Sequence, residues 1–208
     1  MGIRKGLKQM QDQEDRKSVK WLKIPDGSSY RVRFLDDLDD TGDVPGAGIA
    51  VMVEEHVSPK DFRRKALCTR DEEGHCWACE QAISKPRTGW GKRNRVYVNV
   101  LVNDGNEDPY VAIWSMGVAK SPAFETLKET YFDDGSISNR EWRIKRSGSG
   151  TNTTYILRDL GTEAEPFDFS QYERFDTETI VRQVPYAEQE KFYNGDVVEE
   201  EDPATTEW

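Results

Sequence analysis

Cys68, Cys76 and Cys79 are all the cysteines of this 208-residue chain, and His56 stands a short way ahead of them. The pattern is His56-x₁₁-Cys68-x₇-Cys76-x₂-Cys79. Thiolates and an imidazole are the donors a tetrahedral Zn²⁺ prefers, and a Cys-x₂-Cys pair lets one tight turn present two sulfurs to one ion. The spacing predicts a single structural Cys₃His zinc site that pins an otherwise loose segment. His75 is the other possible fourth ligand, but it adjoins Cys76, and neighbouring residues reach one tetrahedral ion only with strain, so His56 is favoured. Buried free thiols and a redox-active Cys76-Trp77-Ala78-Cys79 pair are the alternatives. The redox pair normally opens a helix inside a βαβ unit, and no such unit is legible here. Glu72, Glu73 and Glu80 are near in sequence, but a full ligand set leaves no open position for catalysis.

Around this cluster the pattern is one of short strands. Val19 to Ile24 reads as a strand, Pro25-Asp26-Gly27-Ser28 as a turn, and Ser29 to Leu35 alternates with period two, together a hairpin. Ile49 to Val53 is a short apolar strand. Cys76 to Ile83 opens a helix, and Arg95 to Val102 pairs with Tyr110 to Trp114. Ser121-Pro122 starts a helix running to about Thr130, because Pro is well placed at the first helical position after a capping Ser. Glu141 to Arg146 and Thr154 to Leu157 form a further hairpin. The expected fold is mainly β (α+β): a small β-barrel at 18–160 carrying a zinc subdomain inserted at about 54–92 and a short helix. Residues 1–17 are expected to form a flexible basic arm, and 161–208 an acidic, largely disordered tail.

The net charge of −10 is unevenly spread. Residues 159–208 hold 15 acidic and 3 basic side chains, leaving the first 158 residues with a net of +2. A block of like charge at one end is commonly a solvated interaction tail. The mean charge therefore does not exclude a polyanion partner for the folded part. No apolar run approaches the roughly 20 residues of a membrane span. No apolar stretch follows Met1, and the cysteine count is odd. The expectation is a soluble intracellular chain in a reducing compartment, without membrane contact.

Between Gln81 and Asn103 there is no acidic residue, while Lys85, Arg87, Lys92, Arg93 and Arg95 are all cationic, with Trp90 and Tyr97 among them. Interleaved cations and rings suit single-stranded nucleic acid, because cations track phosphates while unpaired bases stack on aromatic faces. Similar mixtures recur at Lys20-Trp21-Lys23, Tyr30-Arg31-Arg33, Arg63-Arg64-Lys65 and Trp142-Arg143-Lys145-Arg146. In alternating strands one face must be core, so roughly half of these rings are structural.

These residues together resemble the helix-destabilising single-stranded DNA-binding proteins of T-even-type bacteriophages. The His-x₁₁-Cys-x₇-Cys-x₂-Cys spacing is similar to their zinc subdomain, and Cys76 to Ile83 to its knuckle and following helix. Trp21-Leu22-Lys23-Ile24 with Arg33-Phe34-Leu35 is like their first hairpin, and Tyr97 to Val102 like their central strand. The resemblance covers about residues 18–160. It implies an oligonucleotide-binding (OB) barrel with a zinc insertion and single-stranded DNA in the cleft between them. Arg63, Arg64, Lys92, Arg93, Arg95, Tyr97 and Trp114 would line that cleft. It further implies coating of unpaired DNA during phage replication, recombination and repair, in the cytoplasm of an infected bacterium and without catalysis. Self-association along the strand and recruitment of replication proteins through the acidic tail would go with it. The chain departs from the family in length, and its nearest match to the basic cooperativity motif, Arg16-Lys17-Ser18, abuts the first strand.

Two other classes remain open on sequence. One is a Mg²⁺-dependent, zinc-stabilised nuclease or recombination enzyme using the Asp36, Asp37, Asp39 and Asp40 loop. The other is a zinc-containing adaptor for duplex DNA or protein, which would need a basic recognition helix; Ser121 to Thr130 carries Lys128 but also Glu125 and Glu129.

Overall fold

The computed structural model describes residues 19–40, 44–105, 108–162 and 167–196. The expected arm at 1–17, the Arg16-Lys17-Ser18 motif, the Glu199-Glu200-Glu201-Asp202 run and Trp208 lie outside the described residues.

The long strand β6 (Arg93–Asn103) organises the molecule. One edge of it pairs throughout with β7 (Tyr110–Gly117), from Arg95↔Gly117 to Val102↔Tyr110. The opposite edge is shared. Its first half pairs with β4 (Val51–Val57) and its second with β1 (Ser29–Phe34), both antiparallel. Beyond β4 lies β5 (Lys65–Leu67), and beyond β1 lie β8 (Arg140–Ser147) and β9 (Thr154–Thr162). A separate parallel pair joins β2 (Asp36–Asp37) to β3 (Gly48–Ile49). The fold is thus mainly antiparallel β with a few helices. The seven-stranded sheet is open, with β5 and β9 as unjoined ends, which corrects the expectation of a closed barrel.

Alternation along β6 explains how it is buried on both faces. Val96, Val98, Val100 and Val102 point into the main core with Phe34, Trp114, Trp142, Ile144 and Leu127. Tyr97 and Leu101 point the other way. There Tyr97 meets Ile113, Ile180 and Val181, and Leu101 meets Leu35 and Phe169. Residues 167–184 therefore cover the back of the sheet, and the helix α4 (Tyr186–Asn194) follows them. This overturns the expected disordered tail over 167–196. Dispersed apolar anchors hold the segment although its net charge is acidic. Each fully buried side chain of this size contributes roughly 1.5–3 kcal/mol.

Val19 to Ile24 forms no hairpin with β1, because both edges of β1 are already taken by β6 and β8. Instead it lies along β7, where Leu22 N–H donates to Ile113 O at 2.8 Å and Ile113 N–H to Lys20 O at 2.7 Å. The remaining helices are α1 (Arg70–Glu73), α2 (Trp77–Ser84) and α3 (Pro122–Asp134). Ser121 caps α3 by accepting Phe124 N–H at 3.3 Å, as the Ser-Pro start predicts.

Candidate metal centre and the basic surface beside it

Strand pairing brings the first two ligand candidates together. His56 on β4 faces Ala66 on β5, and Cys68 follows two residues later, its N–H held by Glu54 O at 2.9 Å. The chain then makes the one-turn α1 and returns, the return closed by a hydrogen bond from Thr69 Oγ1 to His75 O at 2.8 Å. Cys76 is the residue before α2 and Cys79 lies in its first turn, so positions three apart share one side of the helix.

The ligand atoms of His56, Cys68, Cys76 and Cys79 all lie within 4.8 Å of one another. Cys68 Sγ is 3.6 Å from Cys79 Sγ, and His56 Nε2 is 3.3 Å from Cys79 Sγ. Thiolates on a tetrahedral ion with Zn–S near 2.3 Å sit about 3.8 Å apart, so the cluster has the dimensions of a metal site. His56 is fully buried, and its Nδ1 is 2.8 Å from Trp90 O. A carbonyl only accepts, so Nδ1 carries the proton and Nε2 presents its lone pair to the sulfurs, the usual outer-shell orientation of a metal-bound histidine. His75, the alternative ligand, is exposed and packs edge-on against Tyr186 at 4.3 Å.

The electrostatics favour a cation here. Burial raises the Cys76 thiol, but the adjacent His56 ring and the backbone N–H groups of Cys79 and Thr69 outweigh it and bring it down to about 6. Burial, together with the neighbouring sulfurs of Cys68 and Cys76, pushes Cys79 up to about 12, and burial also raises Cys68. One thiolate is thus welcome and further ones repel, a conflict that a divalent ion resolves.

A residue that sequence analysis missed completes the centre. Gln189 of α4 is fully buried; its Oε1 accepts Trp77 N–H at 2.9 Å, and its Nε2 donates to Thr69 Oγ1 and Val184 O, both at 3.0 Å. Tyr186 docks the same helix by donating its hydroxyl to Glu80 and its N–H to Glu73. Trp77, Trp90 and Tyr193 pack as a cluster over the site, with Trp90 centred 5.1 Å from Trp77 and 5.3 Å from Tyr193. Pro185 ahead of α4 and Gly195 behind it were the available helix start and stop marks, within a segment whose net charge is acidic.

The expected nucleic-acid residues divide. Arg63, Lys92 and Arg93 are exposed. Lys92 is ion-paired with Glu54. Arg64 is half-buried and donates to Phe192 O at 2.9 Å. Arg95 bonds Ser115 Oγ at 2.7 Å and lies 3.6 Å from buried Glu55. Tyr97 and Trp114 are 0% and 2% exposed. Their rings belong to the packed interior and offer no face to a base, which corrects the expectation for both. Trp90, at 6% exposed, is likewise a core ring of the metal module.

Two basic segments distant in sequence converge beside the metal centre. Because β4 and β6 are antiparallel, the turn after β4 and the loop before β6 lie at the same end of the sheet. At Gly89, with φ of +95°, even a methyl group would stand 3.1 Å from Pro59, so the absence of a side chain lets the two segments touch. The first segment carries Lys60, Arg63 and Arg64 and the second Lys85, Arg87, Lys92 and Arg93, with Arg64 bonded to Phe192 O and Lys92 paired with Glu54.

The acidic loop is consumed by structure. Asp37 accepts from Ser138 Oγ at 2.8 Å, from Ile137 N–H at 3.1 Å and from Ser136 Oγ. Asp36 accepts from the backbone and side-chain amides of Asn99 at 2.6 and 2.9 Å. Both carboxylates are buried, whereas Asp39 and Asp40 are exposed. Among the described residues no helix is long and apolar enough to cross a membrane.

No protein-family model, no curated protein and no solved structure matches this chain.

Proposed function

We propose that this chain binds single-stranded DNA through the basic end of a zinc-stabilised module. The observation that carries the proposal is the convergence of the 58–65 turn and the acid-free 85–93 loop at Pro59 and Gly89. Cations drawn from two separated segments form a surface suited to a flexible polyanion, and neutralising its phosphates releases counterions. A largely buried Cys₃His donor set, with all four positions supplied by the protein, fits zinc in a structural role. Zinc there would crosslink β4, the cysteine loop and α2, and so fix the frame on which both basic segments stand.

The resemblance to T-even-type phage helix-destabilising proteins supports the same reading. With it we infer coating of unpaired strands in replication, recombination and repair, in the cytoplasm of an infected bacterium. Self-association along the strand and contact with replication proteins through the acidic terminus belong to this proposal. The fold kinship we infer is an oligonucleotide-binding sheet left unclosed at β5 and β9.

Fluorescence anisotropy of a labelled oligo-dT strand tests it. Tight binding is expected at low salt, weakening steeply as salt rises, with duplex of the same length a poor competitor. Duplex binding as strong as single-strand binding, or no binding at low salt, overturns it.

A further inference from the structure

The turn between β4 and β5 presents an aromatic ring for which the fold has no use. Phe62 is 70% exposed, and it stands with Arg63 at the centre of the turn closed by Arg64 N–H donating to Asp61 O at 3.0 Å. Turn centres favour Pro, Asn, Asp and Gly, each for a backbone reason that a phenyl ring does not supply. A single exposed apolar side chain is ordinary in itself; its setting is what distinguishes this one.

The frame around Phe62 is anchored from several sides. Asp61 Oδ1 accepts Arg63 N–H at 3.0 Å, and its other oxygen lies 3.5 Å from Arg64 Nε. Arg64 donates onward to Phe192 O, Lys60 Nζ to Asn194 Oδ1 at 2.9 Å, and Ser58 Oγ to Tyr193 O at 3.0 Å. The turn is therefore tied to α4, whose Gln189 is tied to the cysteine loop. The ring stands on a preorganised support, so ordering it on binding costs little. Arg63 adjoins it in the turn, and the loop that meets this segment at Pro59 carries Lys85, Arg87, Lys92 and Arg93.

We infer that Phe62 is a base-stacking platform of the nucleic-acid surface, holding an unpaired base while Arg63 and the 85–93 cations take the neighbouring phosphates. This rests on the proposed single-strand function and deepens it. Tyr97, Trp90 and Trp114 are buried, so the stacking role falls to a ring outside the central strands. The occupant is a nucleobase because the surround is cationic: a polyanion whose own rings are apolar satisfies the ring and the charges together.

The test uses the full zinc-loaded chain and oligo-dT titrated over a salt series. Phe62→Ala is expected to weaken binding roughly 5- to 150-fold, the range for loss of one stacked base. The slope of log affinity against log salt should stay unchanged, because no charge is removed. Phe62→Leu, which keeps apolar area without a π face, should behave like Phe62→Ala. Phe62→Trp should bind like wild type and add quenching of the new indole on saturation. Arg63→Ala should reduce the slope by roughly 0.7. Wild-type binding accompanied by equal affinity of Phe62→Ala overturns the stacking role and leaves the single-strand function standing. Failure of the wild-type chain to bind overturns both. Unchanged metal content and thermal midpoint in each variant exclude misfolding as the cause.

Discussion

Gln189 accepts the backbone N–H of Trp77 at 2.9 Å, so a side chain in the last described helix holds the first turn of the cysteine helix. The same amide donates to Thr69 Oγ1 and Val184 O, leaving none of its principal hydrogen-bonding groups unused. Gln189→Ala would strand these buried partners and open a cavity. A loss of about 2–4 kcal/mol is expected, with faster metal release to a competing chelator. Urea denaturation and chelator kinetics measure the two effects; a variant as stable and as retentive as wild type would contradict the role given to Gln189.

Metal removal should act on both sides of that contact. One zinc per chain is expected by elemental analysis, and Cys76→Ser or His56→Ala should abolish stoichiometric binding. Stripping the ion should lower the thermal midpoint and raise amide exchange in α2 and α4, because the crosslink joining β4, the cysteine loop and α2 is then lost. The sheet around Val96 to Val102 should remain protected. Uniform loss of protection would show instead that the module and the sheet unfold as one unit.

Arg93 and Arg95 stand two residues apart on β6, yet their substitutions should read differently. Arg93 is exposed, so Arg93→Ala should leave stability unchanged and lower the salt slope of oligo-dT binding by roughly 0.7. Arg95 lies 3.6 Å from Glu55, which is 2% exposed and also accepts from Tyr97 at 2.7 Å. Arg95→Ala should therefore cost about 1–3 kcal/mol of stability by leaving a buried carboxylate short of a partner. Thermal melts and salt titrations on both variants separate the roles.

Asp36 predicts a pH dependence with a defined sign. Burial raises its carboxyl above 3.8 despite the Asn99 amides and the Arg174 charge that pull it down. The folded chain therefore binds this proton more readily than the unfolded chain. The resulting contribution to stability is fully present below the unfolded value of 3.8 and is lost as pH climbs from there through the raised value. Relative to Asp36→Asn, wild type should gain stability as pH falls from about 7 to about 4. A difference that is flat or slopes the other way in urea denaturation would refute the assignment.

Much of the local structure was legible because it rests on short-range chemistry. The Ser121-Pro122 start of α3, the strands at β1 and β6, and the β8–β9 hairpin each follow from neighbouring residues and appear as expected. The grouping of four residues that could hold a metal ion was legible too. A thiol or imidazole is recognisable wherever it stands, and a Cys-x₂-Cys pair needs only one helical turn to converge.

What the sequence determined by itself was therefore the alternating strands, the helix starts and the choice of four donors. Tertiary structure decided which rings are accessible, which edges are paired and where the C-terminal segment goes. Tyr97 and Phe62 are both rings beside cations in sequence, yet one is buried and the other is exposed. The difference arises because residues 167–184 happen to cover the odd-numbered face of β6. Acidic composition made that segment read as a tail, but Phe169, Ile180, Val181 and Phe192 are spaced to meet surfaces that exist only after the sheet has formed. Burial is a property of the partner surface as much as of the residue, and no local pattern contains the partner.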